Sequence, residues 1–146
     1  MAIRNYLTLN ATFPDDAEWD ERGNNLVPGG RSTGEYLIDV LATLGYTCSK
    51  LVQHSFYGWR FVARNQATSV VCLIQAGGIG PDTWLVIFKP EPSLLRRLFY
   101  PNDETAFVGF LADVERILAN EAKSSNLRWY TMNEYLNLQS NRDRAT

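Results

Sequence analysis

The stretch that decides the fold is residues 57–90, YGWRFVARNQATSVVCLIQAGGIGPDTWLVIFKP. It contains three runs rich in β-branched and aromatic residues, which favour strands. Turn-forming residues separate the runs, and connections this short join antiparallel neighbours. The stretch therefore predicts a meander of three adjacent strands: Tyr57–Arg64, Ser69–Ala76 and Thr83–Lys89.

The first of these runs alternates with a period of two, which predicts a strand with one covered face. One side carries Tyr57, Trp59 and Phe61, and the other side carries Arg60 and Arg64. An open aromatic face could stack the bases of single-stranded nucleic acid. We expect helices to cover it instead, because it is the most apolar face in the sequence. Its aromatic residues would then belong to the core.

Two amphipathic helices are predicted, one on each side of the meander. The first begins near Ser32, because Ser32-Thr33-Gly34-Glu35 fits a capping box. Gly45 suits its end, where a positive φ is needed. The second begins at Asn102 or Asp103, which can cap it. Helical spacing predicts the buried stripes, which are Tyr36, Leu37, Val40, Leu41 and Leu44 in the first helix and Phe107, Phe110, Leu111, Val114, Ile117 and Leu118 in the second.

Further strands are predicted at Asn5–Phe13, Thr47–His54 and Leu127–Thr131, which gives the order β-α-β-β-β-β-α-β. Short helical turns are expected at Ser93–Tyr100 and Asn133–Leu138. The predicted class is α+β, with a mostly antiparallel sheet of about five to six strands, two main helices on one face and the other face partly open. We expect a single domain over residues 1–138 and a frayed polar tail over 139–146.

The composition is typical of a soluble globular protein, with 45% hydrophobic and 21% charged residues. The net charge of −2 creates no overall field that would attract nucleic acid or an anionic membrane, so neither is an expected partner. No signal-like segment and no apolar run of about 18 residues occurs, which favours a cytoplasmic location. In that reducing compartment Cys48 and Cys72 are expected to be buried thiols.

Two glycine-rich segments resemble phosphate-binding loops, but neither has the residues around it that such a loop needs. Gly29–Gly34 has the glycine spacing, yet Glu35 and Tyr36 stand where a lysine and a hydroxyl residue should bind phosphate and Mg²⁺. Gly77–Gly80 follows a strand but leads into another strand rather than into a helix N-terminus. A glycine-rich helix start and a flexible hairpin loop are the better interpretations.

No catalytic residue, cofactor or metal site is predicted. His54 is the single histidine and could act as a general base, but neither Ser55 nor Cys48 forms a known pairing motif with it. We expect an exposed or hydrogen-bonded residue at a strand end. One histidine and two cysteines in apolar runs do not suit a zinc site. The Asp15–Glu21 segment lacks the alternating ligands and central glycine of a calcium-binding loop.

The segment Pro14–Gly30 has no periodicity and is predicted to be a long loop, a kind of segment that is often functional. It places five carboxylates around Trp19. So many like charges must stay solvated, which argues against burial of Trp19 in the core. A solvated connection is one interpretation. The other is a partner-binding surface for a basic protein, in which carboxylates steer the partner and the indole anchors it, formed by Asp15, Asp16, Glu18, Trp19, Asp20 and Glu21.

Two short motifs carry a resemblance, Tyr57-Gly58-Trp59-Arg60-Phe61 and Leu127-Arg128-Trp129-Tyr130. At these motifs the chain resembles a group of small, uncharacterised bacterial α+β proteins, over residues 30–131. That group shares a helix ending in a glycine turn, a Gly-Trp strand, and a long helix that leads to an Arg-Trp-aromatic strand. Many proteins of this kind are immunity proteins, which neutralise a toxin by binding it, so the resemblance implies a similar role by analogy of fold.

These observations lead to a hypothesis of function with two alternatives. The favoured hypothesis is a non-enzymatic cytoplasmic protein-binding module, immunity-like, whose partner has a basic surface. The first alternative is a small-molecule-binding domain, or an enzyme of unrecognised type, with a pocket between sheet and helices. The second is a structural subunit that forms homodimers through an open sheet face.

Overall fold

The computed structural model describes residues 2–13, 17–54, 58–77, 82–91 and 103–145. The strands in this part of the chain are β1 (Tyr6–Ala11), β2 (Glu18–Trp19), β3 (Asn25–Val27), β4 (Thr47–Cys48), β5 (Val52–His54), β6 (Gly58–Arg64), β7 (Ser69–Ala76), β8 (Thr83–Pro90) and β9 (Ser124–Tyr130). The helices are α1 (Arg31–Thr43), α2 (Asp103–Ala119) and α3 (Met132–Ala145).

Seven strands form the main sheet, in the order β4-β6-β7-β8-β1-β9, with β5 also paired to β6. The pairings described in this sheet are antiparallel. The predicted meander is confirmed, because β6, β7 and β8 lie side by side with Phe61 opposite Cys72 and Cys72 opposite Phe88. Tyr57, which was expected to begin the first strand of the meander, lies outside the described residues. The predicted α+β class is also confirmed.

The sheet has more strands than predicted because Thr47–His54 forms two short strands instead of one. Ser49 interrupts the pairing: its backbone N–H donates to the Val62 carbonyl, and its Oγ accepts from the Val62 N–H, both at 2.8 Å. Pairing with β6 resumes at Val52. Between the two short strands, Leu51 turns inward and packs against the core. A serine side chain thus replaces one backbone partner, which the weak alternation of this segment did not reveal.

The first face of the sheet, which carries Leu7, Phe61 and Phe88, packs against α1 and α2 to form the main core. The aromatic side of β6 is therefore core, as predicted, with Trp59 and Phe61 both buried. The helix stripes are also confirmed, and their buried members are Tyr36, Leu37, Val40, Leu41, Phe107, Phe110, Leu111, Val114 and Leu118. The remaining two, Leu44 and Ile117, are partly buried against the same core.

The second face carries a smaller apolar cluster, formed by Tyr6, Leu85, Ile87 and Tyr135. Tyr135 belongs to α3, and the centroid of its ring lies 5.6 Å from that of the Tyr6 ring. Helix α3 therefore covers part of this face, and it is much longer than the predicted turn at Asn133–Leu138. Its helical residues continue through the segment 139–145 that was expected to fray. The predicted turn at Ser93–Tyr100 lies outside the described residues.

The start of α3 explains why it forms. The Glu134 N–H donates to the Thr131 hydroxyl at 3.1 Å, and the Thr131 N–H donates to the Glu134 carboxylate at 2.7 Å. These two bonds make a capping box. The same carboxylate accepts two bonds from Arg4, at 3.0 and 3.2 Å, which ties the helix start to the segment before β1.

The predicted capping box at Ser32 is wrong. Helix α1 begins at Arg31 after Gly30, which has φ 112°, and no side chain caps it. With Ser32 already inside the helix, Glu35 lies one turn after Arg31 and pairs with it at 3.4 Å instead of reaching back. The predicted end is right: Gly45 has φ 90° and donates its N–H to the Ala42 carbonyl. Of the described helices, none combines the length and the apolar character that crossing a bilayer requires.

Candidate functional site: the β2–β3 hairpin

The segment predicted to be a long loop contains a small hairpin, so that prediction is wrong in part. Strands β2 and β3 pair antiparallel, with Glu18 opposite Val27 and Trp19 opposite Asn25, and an irregularity lies between the two pairs. So few paired residues form no stable ladder alone. The hairpin must therefore be held by its turn and by the connections at its base.

The turn is organised by Asp20. Its carboxylate accepts from the backbone N–H groups of Arg22 and Asn24, at 2.9 and 2.8 Å, and from the Asn24 side-chain amide at 3.0 Å. This is the local bonding by which aspartate favours turns. The bonds from Asn24 hold the pKa of the Asp20 carboxyl below its ordinary value, because they stabilise the charged form. Asp20 is thus engaged within the hairpin.

The described residues that flank the hairpin, Phe13 before it and Pro28 and Gly30 after it, contact the core. On the β1 side, the Phe13 ring lies 5.0 Å from the Tyr36 ring of α1. On the α1 side, the indole N–H of buried Trp59 donates to the Pro28 carbonyl at 2.9 Å. Gly30 lies against the sheet so closely that a Cβ there would come within 3.3 Å of Ile74. The hairpin therefore projects from a rigid support.

The surface of the hairpin is apolar and acidic together. Trp19 is 61% exposed and Leu26 is 57% exposed, which makes them the two most exposed large hydrophobic residues of the described chain. Glu18 and Glu21, which are close to Trp19 in sequence, are exposed as well. An exposed indole can make direct contact with a partner, and carboxylates near it in sequence can attract a basic partner at longer range.

The structure brings together four of the six residues predicted for partner binding, Glu18, Trp19, Asp20 and Glu21. The exposure of Trp19 agrees with the argument from solvated carboxylates. Asp15 and Asp16 lie outside the described residues. Leu26 was not predicted, although a signal existed: Asp20 and Gly23-Asn24 form a turn pattern, and a turn there predicts strands on both sides.

The other candidates of the sequence analysis do not assemble into a reactive site in the described part of the chain. His54 is exposed at the end of β5, opposite Gly58, as expected for a strand-end residue. Cys72 is fully buried, and burial raises the pKa of its thiol well above the ordinary value, so the thiol stays protonated. Cys48 is only partly buried. The described His, Cys, Asp and Glu side chains form no group of three that could hold a metal.

The chain was also compared with known proteins. Models of protein families, curated proteins and solved structures all give no match to it.

Proposed function

We propose that the chain is a non-enzymatic protein-binding module that uses the β2–β3 hairpin to bind a partner with a basic surface. The observation that carries the proposal is that Trp19 is 61% exposed in a short hairpin whose Glu18 and Glu21 are exposed too. Tryptophan is highly buried on average in folded proteins, and it is enriched among the residues that dominate binding energy. The acidic neighbours select a basic partner.

The rigid support of the hairpin strengthens this proposal. Binding costs free energy when loops and side chains must be ordered, and a surface that is already ordered avoids much of that cost. The Asp20 turn and the Pro28–Trp59 hydrogen bond hold the hairpin before any partner arrives. The proposed role is immunity-like: a cytoplasmic chain that neutralises its partner by occupying it. The resemblance to small bacterial α+β proteins supports that role by analogy.

The first experiment separates charge from contact. A pull-down supplies candidate partners, and surface-based kinetics with each purified candidate is then run at two salt concentrations. The variant Glu18→Gln/Glu21→Gln should slow association and flatten its salt dependence, because the steering charges are gone. The control Glu35→Gln/Asp39→Asn makes the same charge change on the exposed side of α1 and should leave the association rate closer to wild type. The proposal would be contradicted by a captured protein that binds the hairpin variant and the wild type with the same rates.

The second experiment tests the indole. Trp19→Ala should mainly speed dissociation, by an amount equivalent to about 2 kcal/mol or more if Trp19 is a hot spot. Val108→Ala is the control, since Val108 is an exposed apolar residue of α2, 47% exposed. If both variants dissociate like the wild type, the interface lies elsewhere on the molecule.

An enzyme or small-molecule-binding domain remains the alternative, and the described core argues against its simplest version. A pocket between the sheet and α1 and α2 would occupy space that Phe61, Phe88 and Phe110 fill, each at most 1% exposed. His54→Ala should leave biological activity intact. Loss of activity in a folded His54→Ala variant, as judged by circular dichroism, would favour the enzyme.

A further inference from the structure

The second face of the sheet holds a cavity with a mixed polar and apolar lining beside the apolar cluster of Tyr6, Leu85, Ile87 and Tyr135. Its volume is about 210 Å³. The described residues that line its polar side are Thr8 and Asn10 of β1, Thr83 of β8, and Asn126, Arg128 and Tyr130 of β9. Leu138 of α3 also lines it. The cavity therefore lies between the sheet and α3.

Strand pairing explains why these residues meet. Thr8 and Asn10 alternate along β1, so both point to the second face. Thr8 lies opposite Arg128, and Asn10 lies opposite Thr83. Leu138 is three residues after Tyr135 and thus on the same side of α3. The residues that line the cavity are far apart in sequence, and the register of the strands and the packing of α3 on the sheet bring them together.

The β9 side of the cavity has an unusual backbone. The register between β1 and β9 shifts between Thr8 and Asn10, so that β9 contains one extra residue there. Asn126 lies in this bulge with φ 54°, and it is the one described residue other than glycine with a positive φ. Bulges change the direction of neighbouring side chains and are over-represented beside functional sites. Here the bulge directly precedes Arg128.

The chemistry of the lining favours an anion. Arg128 is the one charged residue among the described lining, and it stands with hydroxyl and amide groups rather than with carboxylates. A guanidinium presents a planar fork of donors that matches the oxygens of carboxylate and phosphate groups. The Thr8 hydroxyl and the Asn10 and Asn126 amides can donate to an anion, whereas the Thr83 hydroxyl already donates to Asn10 Oδ1 at 3.1 Å and helps to hold Asn10 in place. Such a set can surround one oxyanion from several sides.

We infer that this cavity binds a small oxyanion-bearing molecule, with the Arg128 guanidinium as its charged donor. A volume of about 210 Å³ corresponds to roughly seven waters at about 30 Å³ each. It is below the roughly 300–1,000 Å³ of sites for drug-sized ligands. The cavity therefore suits a free phosphate, a small dicarboxylate, or the anionic end of a larger molecule. It is separate from the β2–β3 hairpin and does not depend on the function proposed there.

The test is a titration of the folded chain, followed by amide chemical shifts, with inorganic phosphate in one arm and succinate in the other. Sodium chloride holds the ionic strength constant. We expect saturable shifts at Thr8, Asn10, Asn126 and Arg128, with a Kd of about 1 mM or tighter, in at least one arm. The arm that saturates identifies the oxyanion. Shifts that follow ionic strength alone, or that lie outside the cavity, would overturn the inference.

Variants provide the second measurement. Arg128→Gln should weaken binding by about ten- to a hundred-fold, because a charged donor is lost. Arg60→Gln is the matched control, since Arg60 lies on the same sheet face in line with Leu73 and Ile87 and does not line this cavity. Equal affinity in the two variants would contradict the assignment. Because the wild-type shifts locate the site without any substitution, the inference stays testable even if Arg128→Gln fails to fold.

Discussion

Aromatic residues are buried in the core between the sheet and α2, whereas the aromatic residue of the β2–β3 hairpin is exposed. Phe110 is 1% exposed and packs its ring 5.5 Å from that of Phe88. Trp19 is 61% exposed and lies between glutamates on a two-residue strand. Both are large apolar side chains in one small protein, so hydrophobicity alone does not decide where they lie.

The surrounding sequence makes the difference. Phe110 belongs to an apolar stripe with helical spacing, so burying it also buries its neighbours on the same side of α2. Trp19 stands among charges whose burial would cost several kcal/mol each. The comparison shows that the neighbouring residues decide whether an aromatic side chain is buried. An aromatic side chain that stays exposed among carboxylates is a candidate for contact with another molecule.

The largest expected effect breaks the core side of the comparison. Phe110→Ala should lower the free energy of unfolding by about 3–5 kcal/mol, because it removes a buried aromatic ring and leaves a cavity. That is a large share of the roughly 5–15 kcal/mol that stabilises a domain. Chemical denaturation measures the change. Val108→Ala on the exposed side of the same helix is the control, and equal midpoints for the two variants would show that the core is assigned to the wrong side of α2.

A second effect tests how tightly the meander packs. A Cβ at Gly58 would lie 1.9 Å from the Ile74 carbonyl oxygen, which is backbone and cannot rotate away. Gly58→Ala should therefore destabilise the chain by about 1–3 kcal/mol, as overpacking does. Gly109→Ala is the contrasting variant, because a Cβ there meets nothing within 4 Å. In the exposed interior of α2 it should stabilise by roughly 0.5–1 kcal/mol. If both changes were neutral, β6 and β7 would be less closely packed than described.

Local periodicity was enough to predict the meander and the two stripes. The alternation around Phe61 and the spacing from Phe107 to Leu118 each repeat several times, so single exceptions do not obscure them. Caps are harder, because one residue decides them. Ser32-x-x-Glu35 fits the capping pattern but Gly30 begins the helix earlier, whereas Thr131-x-x-Glu134 fits it and forms the bonds.

Helix α3 was predicted only as a short turn, Asn133–Leu138, because its sequence is mostly polar and its stabilising contacts are distant. Tyr135 packs on Tyr6, and Arg4 binds Glu134, across almost the whole chain. The hairpin was predicted as an exposed acidic loop and not as two paired strands, although Asp20 and Gly23-Asn24 indicate a turn between them. The hydrogen bond between Pro28 and Trp59 that supports the hairpin depends on tertiary structure. The sequence also does not show that Asp20 holds the turn while Glu18 and Glu21 face solvent.

A smaller effect compares an ordered carboxylate with the solvated ones of the hairpin. The hydrogen bond from Arg4 and the bond from the Thr131 N–H lower the pKa of Glu134 to about 2, from an ordinary value of 4.5. A lowered folded-state pKa contributes stability that is complete above about pH 4.5 and is lost as the pH falls toward about 2. The effect on stability is small because Glu134 is solvent-exposed. An NMR titration of the Glu134 carboxyl should show the low pKa in the wild type and a higher one in Arg4→Gln. The same pKa in both would mean that the Arg4 bond does not form in solution.

The smallest effect on stability is expected in the hairpin itself. Glu18→Gln/Glu21→Gln and Trp19→Ala should each change the free energy of unfolding by no more than about 0.5 kcal/mol, because these side chains are exposed and bury little on folding. Asp20→Ala should also leave global unfolding nearly unchanged, but it should speed hydrogen exchange at the Asn24 amide, which loses its carboxylate acceptor. A loss of more than about 1 kcal/mol in Trp19→Ala, as for a partly buried side chain, would show that the indole folds back on the protein. Trp19 would then contribute to the free energy of unfolding as Phe110 does, only by a smaller amount. With stability unchanged, any loss of partner binding in these variants belongs to the interface alone.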